Sequence, residues 1–270
     1  MTLGTSAYKV QQTDIAFQNL PRAFDDFKIV QISDLHLGSL SPQSGNIAKL
    51  VGEINALQPD AILFTGDMIN SFAAELLPWI AELRKLYAPY GKFAVRGNHD
   101  YGDYHRWKTP EDRNRNLANF KQNMQDAGFT LLDNANVPLV KGNDTIYIAG
   151  EENWGKPPFQ QYGNLEETIA GTENHFLVLM SHDPSHWRAE ILAHNIPLTL
   201  SGHTHAMQVG IIIGSYKWSP ARYLYPEYEG LYERDGKYIF VSSGAGFLGI
   251  GGRIGFRPHI EDIHLKSSLR

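Results

Sequence analysis

The sequence of 270 residues predicts an α/β fold, two-layer or sandwich-like and in one domain, on three observations. Over roughly the first hundred residues, short apolar runs alternate with longer stretches whose apolar residues recur at helical spacing. That βαβαβ order implies a parallel sheet covered by helices. Five apolar runs in the chain stop in the same way, at Gly, Asp, His or Asn. No internal repeat, low-complexity tract or linker interrupts the sequence, and its length suits a single domain over residues 1–270.

The elements follow in order. Tyr8, Val10, Ile15 and Phe17 alternate loosely over 6–18 and suggest an edge strand or strand pair, which Leu20-Pro21 breaks. Strand 28–33 leads into Asp34 and His36. Ile47, Leu50, Val51, Ile54 and Leu57 mark a helix over 46–57 that ends before Pro59. Strand 61–65 meets Gly66-Asp67, and Leu76, Leu77, Ile80, Leu83 and Leu86 place a second helix over 72–87, with Pro78 near its start. Strand 92–96 leads into Gly97-Asn98-His99-Asp100. Thr109-Pro110-Glu111-Asp112 is a helix start, with a capping hydroxyl, a first-turn proline and acids at the positive end of the dipole; that helix runs to Ala127. Strands near 129–132, 137–140 and 145–149 precede a long loop, 151–164, containing Asn153, Trp154, Pro157 and Pro158. Strand 175–180 reaches His182, and Asp183-Pro184 caps a helix to about His194. Strand 198–201 reaches Gly202-His203-Thr204-His205. The remainder reads as β-rich, at 207–213, 237–243 and 259–265, around a glycine-dense segment at 244–255 that carries Gly251, Gly252 and Arg253.

Composition excludes several function classes. A formal charge of −5 argues against a nonspecific nucleic-acid binder, which would carry a basic stripe. With no cysteine there is neither a disulfide framework nor a thiolate ligand, which steers any metal toward carboxylate, imidazole and carbonyl donors. The first twenty or so residues hold no apolar signal-peptide core, and no run is long enough to span a bilayer. The expectation is a soluble chain, or the soluble part of an anchored one.

The strand ends carry the chemistry. In open α/β sheets, sites form beyond the carboxyl ends of the strands, where neighbouring strands would bring these clusters together. Their inventory is Asp34, His36, Asp67, Asn98, His182, His203 and His205, with His99 in addition. It suits two divalent cations such as Mn, Fe or Zn better than an all-oxygen calcium or magnesium cage. Two metals sharing a carboxylate, for which Asp67 is the natural choice, can clamp a displacement at phosphorus and activate a bound water to hydroxide near neutral pH. His105, His175, His186, His194, His259 and His264 lack the strand-end context and read as surface or packing residues.

Asp34-x-His36, Gly66-Asp67, Gly97-Asn98-His99-Asp100, the lone His182 and Gly202-His203-x-His205 resemble, in order and separation, the calcineurin-like metallophosphoesterases. The resemblance spans residues 28–205. It implies a four-layer α/β/β/α sandwich of two mixed sheets flanked by helices, and a dinuclear phosphoesterase site. Asp34, His36 and His205 would hold one metal, and Asn98, His182 and His203 the other, with Asp67 bridging. His99 would face the phosphate and assist the leaving oxygen. Asp100 would stand behind His99 and fix its tautomer. Asn98 would also touch substrate, and Arg253 would suit a second phosphate. Met68-Ile69-Asn70 after Gly66-Asp67 departs from the protein serine/threonine phosphatases. The stretch from Leu20-Pro21 to His36, with Ser242-Ser243-Gly244-Ala245-Gly246 and Arg253, is most similar to bacterial phosphodiesterase-type members. Several of those act on lipid pyrophosphates such as UDP-diacylglucosamine, and many carry a membrane anchor. The expected partner is thus a phosphate-containing small molecule or lipid-linked substrate, split at a phosphodiester or pyrophosphate bond. A non-catalytic scaffold of the same fold and a metal-dependent nuclease stay open as alternatives.

Overall fold

The computed structural model describes residues 8–157, 159–213, 216–249 and 252–268; Pro158 and Gly251 above lie outside the described residues. In chain order the strands are β1 (Lys9–Phe17), β2 (Phe27–Ile32), β3 (Ala61–Phe64), β4 (Lys92–Ala94), β5 (Thr130–Leu131), β6 (Ala135–Lys141), β7 (Asp144–Gly150), β8 (Phe176–Met180), β9 (Leu198–Ser201), β10 (Ile211–Ile213), β11 (Tyr216–Trp218), β12 (Gly230–Arg234), β13 (Lys237–Val241) and β14 (His259–Ser267). The helices are α1 (Asn46–Leu57), α2 (Ile80–Leu83), α3 (Pro110–Asp126), α4 (Leu165–Ile169) and α5 (Ser185–Ala189).

The central strands read as unbroken apolar runs because both of their faces are buried. In β2, Val30 and Ile32 face helices α1 to α3, through Ile47, Leu50, Ile54, Leu83, Phe120 and Met124. Phe27 and Ile29, at odd positions on the opposite face of the strand, face the second sheet. In β8, Phe176, Val178 and Met180 enter that same inter-sheet core, while Leu177 and Leu179 pack outward on Leu165, Trp187 and Ile191. Three apolar cores therefore separate four layers, helices on sheet on sheet on helices. The sheet orders are β1-β14-β2-β3-β4-β5 and β12-β13-β9-β8-β7-β6. Both are mixed: β2 to β5 are parallel, as are β7, β8, β9 and β13, while β14, β12 and β6 each run antiparallel to one neighbour.

Local differences from the sequence reading have physical causes. The helix expected over 72–87 is a 3-10 stretch, Ala73–Trp79, followed by the short α2, because Pro78 has no N–H to donate and disfavours α geometry in the residue before it. The helix expected to His194 breaks at Glu190, whose φ of −143° leaves the helical region. Residues 205–208 turn left-handed instead of extending, so the expected 207–213 strand shrinks to Ile211–Ile213, paired with β11, and a single bridge at Val209. The edge strand at the start is present as β1, parallel to β14. By contrast, α3 begins as expected, with the Thr109 hydroxyl accepting from Asp112 N.

Candidate metal centre

Strands β2, β3 and β4 of one sheet and β8 and β9 of the other end at the same edge of the sandwich, and each delivers its polar residues there. The backbone is strained where it does so. Asp34, His36, Asp67, His203 and His205 have φ between 46° and 72°, a region that costs a non-glycine residue about 1 kcal/mol or more and persists where surrounding structure enforces it. Glycine is obligatory beside them. A methyl group on Gly97 would overlap Asp67 Oδ1, and one on Gly66, at φ 101°, would lie 2.6 Å from Gly97 N and His182 Nδ1.

The resulting geometry brings seven of the expected residues together. Ligand atoms of Asp34, His36, Asp67 and His205 all lie within 4.8 Å of one another, as do those of Asp67, His182 and His203. Asp67 belongs to both groups. His36 Nε2 is 3.0 Å from His205 Nε2 and 3.6 Å from Asp67 Oδ2; His205 Nε2 is 3.2 Å from Asp34 Oδ1. On the other side, His203 Nδ1 is 2.9 Å from Asn98 Oδ1, which adds the amide to the second group. Burial alone would raise both carboxyls, but His205 beside Asp34 and His182 beside Asp67 hold them well below the carboxylate range. Burial pushes the His36 ring down to about 3 and lowers His203 as well. It also works against charge on His182, yet Asp67 outweighs it and lifts that ring to about 10. The donor set fits divalent cations on its chemistry: ionised buried carboxylates, the His36 and His203 rings whose burial disfavours protonation, and a fully buried His182 Nε2, 3.3 Å from Asp67 Oδ2 and otherwise without a hydrogen-bond partner.

The calcineurin-like phosphoesterase family model matches residues 27–207, most of the chain and every one of these residues. The chain belongs to the calcineurin-like phosphoesterase family. It is 32% identical over 260 residues to an uncharacterized metallophosphoesterase of Bacillus subtilis, YkuE, covering 92% of this chain and 82% of that one. It is 28% identical to a bovine (Bos taurus) transmembrane protein with a metallophosphoesterase domain, covering 96% of this chain but only 57% of the relative. Among solved structures, TT1561 of Thermus thermophilus superposes with a TM-score of 0.49 at 12% identity, over 82% of this chain and 90% of that one. Family and cluster together make this a metal-dependent phosphoesterase. Among the described residues, no helix is long and apolar enough to cross a membrane.

As a member of this family, the chain uses two residues differently from expectation. Asp100 does not support the His99 ring. Its fully buried carboxylate accepts from Gly97 N and Asp67 N at 2.9 Å and from Ile69 N at 3.1 Å, so it ties two strand-end loops together. Burial and Asp67 push its carboxyl up to about 7 against those donors. His99 Nδ1 instead lies 2.8 Å from the carbonyl of Asn70, which can only accept, so Nδ1 carries the proton. Nor does Arg253 reach the cavity. It is 4% exposed, donates to Gly246 O through Nε and Nη2, and sits 3.3 Å from His205 Nδ1. The glycine-rich segment folds inward, with Ile254 bridged to Val209, and carries the guanidinium behind the site.

Several contributors carried no motif. The Asn70 side chain accepts at 3.1 Å from His36 Nδ1 while its carbonyl holds His99. Tyr104 hydroxyl receives Asn98 Nδ2 at 2.7 Å, and Tyr225 hydroxyl lies 2.9 Å from His203 Nε2. Above the centre opens a cavity of about 400 Å³ whose walls include His99, Tyr104, Phe159, Met207, Leu224 and Leu248. A second, of about 220 Å³, lies across Asn98, Tyr104 and Phe159 from it, walled by Tyr101, Asp103, Asn153 and Tyr162 among others.

Proposed function

We propose that this single-domain chain is a dinuclear phosphoesterase that cleaves a phosphodiester or pyrophosphate bond. The observation that carries the reading is Asp67, common to both groups of ligand atoms within 4.8 Å. Asp34, His36 and His205 would hold one cation and Asn98, His182 and His203 the other, with Asp67 between them and Mn, Fe or Zn as the candidates. When bound, the cations supply a nucleophilic oxygen near neutral pH and neutralise charge on the phosphoryl oxygens.

The chain's own residues orient and protonate. His99 N donates to Asp67 Oδ1 at 2.9 Å, which locks the turn bearing the ring to the shared carboxylate. With Nδ1–H held by Asn70 O, the proton that His99 gives to the leaving oxygen comes from Nε2. Asp100 keeps Asp67 and Gly97 in place through their N–H groups. Two cavities meeting at Asn98, Tyr104 and Phe159 support a substrate with an arm on each side of the phosphorus, hence a diester or pyrophosphate over a monoester.

Hydrolysis of bis-p-nitrophenyl phosphate and p-nitrophenyl phosphate with added Mn tests the reading. Dominant diester cleavage is expected. Dominant monoester cleavage would keep the site and overturn the substrate class.

A further inference from the structure

Of six large exposed apolar side chains, Tyr104, Met207 and Leu224 line the larger cavity, and Tyr223, Ile211 and Ile254 lie on segments next to theirs in chain or bonded to them. Tyr223 is 76% exposed, Leu224 60%, Tyr104 53%, Ile211 52%, Ile254 50% and Met207 38%. Their segments are joined by hydrogen bonds. Gln208 holds Leu248 through both its side-chain atoms, Ile254 exchanges backbone bonds with Gln208 and Gly210, and Ser219 Oγ donates to Ala206 O beneath the Tyr223-Leu224 turn. Exposed apolar residues occur singly on any protein, but a cluster at the mouth of a site marks an interaction surface.

The backbone is strained to make this rim. His205, Ala206, Met207 and Gln208 have φ of 49°, 48°, 50° and 57°, four consecutive non-glycine residues in a left-handed turn whose persistence points to function. That turn leaves Met207 in the cavity wall and partly in solvent.

Charge separates along the same segments. Residues 205–226 and 244–258 contain Lys217, Arg222, Arg253 and Arg257 and no Asp or Glu, in a chain where acids outnumber Lys and Arg 29 to 24. Lys217 is paired with Glu229 and Arg253 is buried; Arg222 and Arg257 are exposed. Apolar side chains flanked by unopposed cations are the composition that seats a protein on an anionic lipid–water interface.

We propose that the rim formed by Met207, Ile211, Tyr223, Leu224 and Ile254, with Arg222 and Arg257, docks on an anionic lipid surface. Docking would deliver the phosphate of a lipid-borne substrate to the metal centre; that delivery rests on the phosphoesterase reading, whereas docking does not.

Co-sedimentation of the full chain with vesicles tests the proposal, using mixed phosphatidylglycerol and phosphatidylcholine against phosphatidylcholine alone. Binding to the anionic vesicles, weakened by salt, is expected. The double variant Tyr223→Gln/Ile254→Gln should bind them at least about tenfold more weakly. It should hydrolyse bis-p-nitrophenyl phosphate as the unaltered chain does. Should that variant not fold, Arg222→Gln/Arg257→Gln, altering surface charge alone, should weaken binding about fivefold per charge. No binding to anionic vesicles, equal binding by the variants, or a face that instead pairs two copies of the chain in solution would overturn the proposal. Vesicle binding with no hydrolysis of either nitrophenyl ester would leave docking standing and remove the phosphoesterase reading.

Discussion

Asp100→Ala separates the role that the structure gives this residue from the one its place beside His99 suggests. The substitution strands three backbone N–H groups, of Gly97, Asp67 and Ile69, in a region where Asp100 itself is fully buried. Hydrogen bonds to a charged acceptor are worth about 1.5–3 kcal/mol each. Three would total about 4.5–9 kcal/mol, offset by no longer burying a carboxylate next to Asp67 and by water entering the space. A net loss of about 3–5 kcal/mol is expected, which for a chain of this size lowers Tm by roughly 10 °C. Thermal unfolding followed by circular dichroism measures it. Activity should fall as Asp67 shifts, while the proton on His99 Nδ1, followed by nitrogen NMR, stays in place, because Asn70 O and not Asp100 contacts that ring. A Tm change below about 2 °C, or a changed His99 tautomer without loss of stability, would refute the reasoning and return Asp100 to the role of tautomer anchor.

Further expectations follow from the same geometry. His99→Ala should lower kcat by about 10²–10⁴-fold with metal content unchanged, as the loss of a general acid does; elemental analysis beside steady-state kinetics checks both halves. Asn70→Ala removes the acceptor of His36 Nδ1 but keeps the carbonyl under His99. Metal affinity should therefore fall about 10–100-fold, read by titration with Mn, with the His99 tautomer unchanged. In chelated protein the His182 ring, raised from 6.5 to about 10, favours the fold fully below pH 6.5, and that contribution is lost as pH rises toward 10. Urea midpoints should accordingly decline across that window without metal and decline less with it, since a ligated imidazole is already unprotonated.

Much of the centre is legible in the sequence because the strands that carry it are buried on both faces. Ile29–Ile32 and Phe176–Met180 are uniformly apolar apart from Gln31, so the change to Asp34 and His36, or to His182, stands out. What escapes is long-range or made by backbone. No local period reveals that β14, last in the chain, lies between β1 and β2 and antiparallel to β2. The grip of Asn70 on His99 runs through a carbonyl that any residue would possess. Asp100 sits next to His99 in sequence, yet its carboxylate turns to N–H groups from two loops. Arg253 follows glycines, as a flexible phosphate-binding segment would, but the bridge of Ile254 to Val209 turns it inward. Tyr104 and Tyr225 lie in stretches without periodicity, and only their hydroxyls' contacts with Asn98 and His203 single them out.

The central claim is that one carboxylate serves two cations. Metal content of the purified chain and of Asp67→Ala, measured beside bis-p-nitrophenyl phosphate hydrolysis, tests it most directly. About two equivalents with activity in the unaltered chain, and loss of both ions and of turnover in the variant, is the expected result. Two full equivalents retained by Asp67→Ala, or an unaltered chain that neither binds metal nor cleaves the diester, would contradict it.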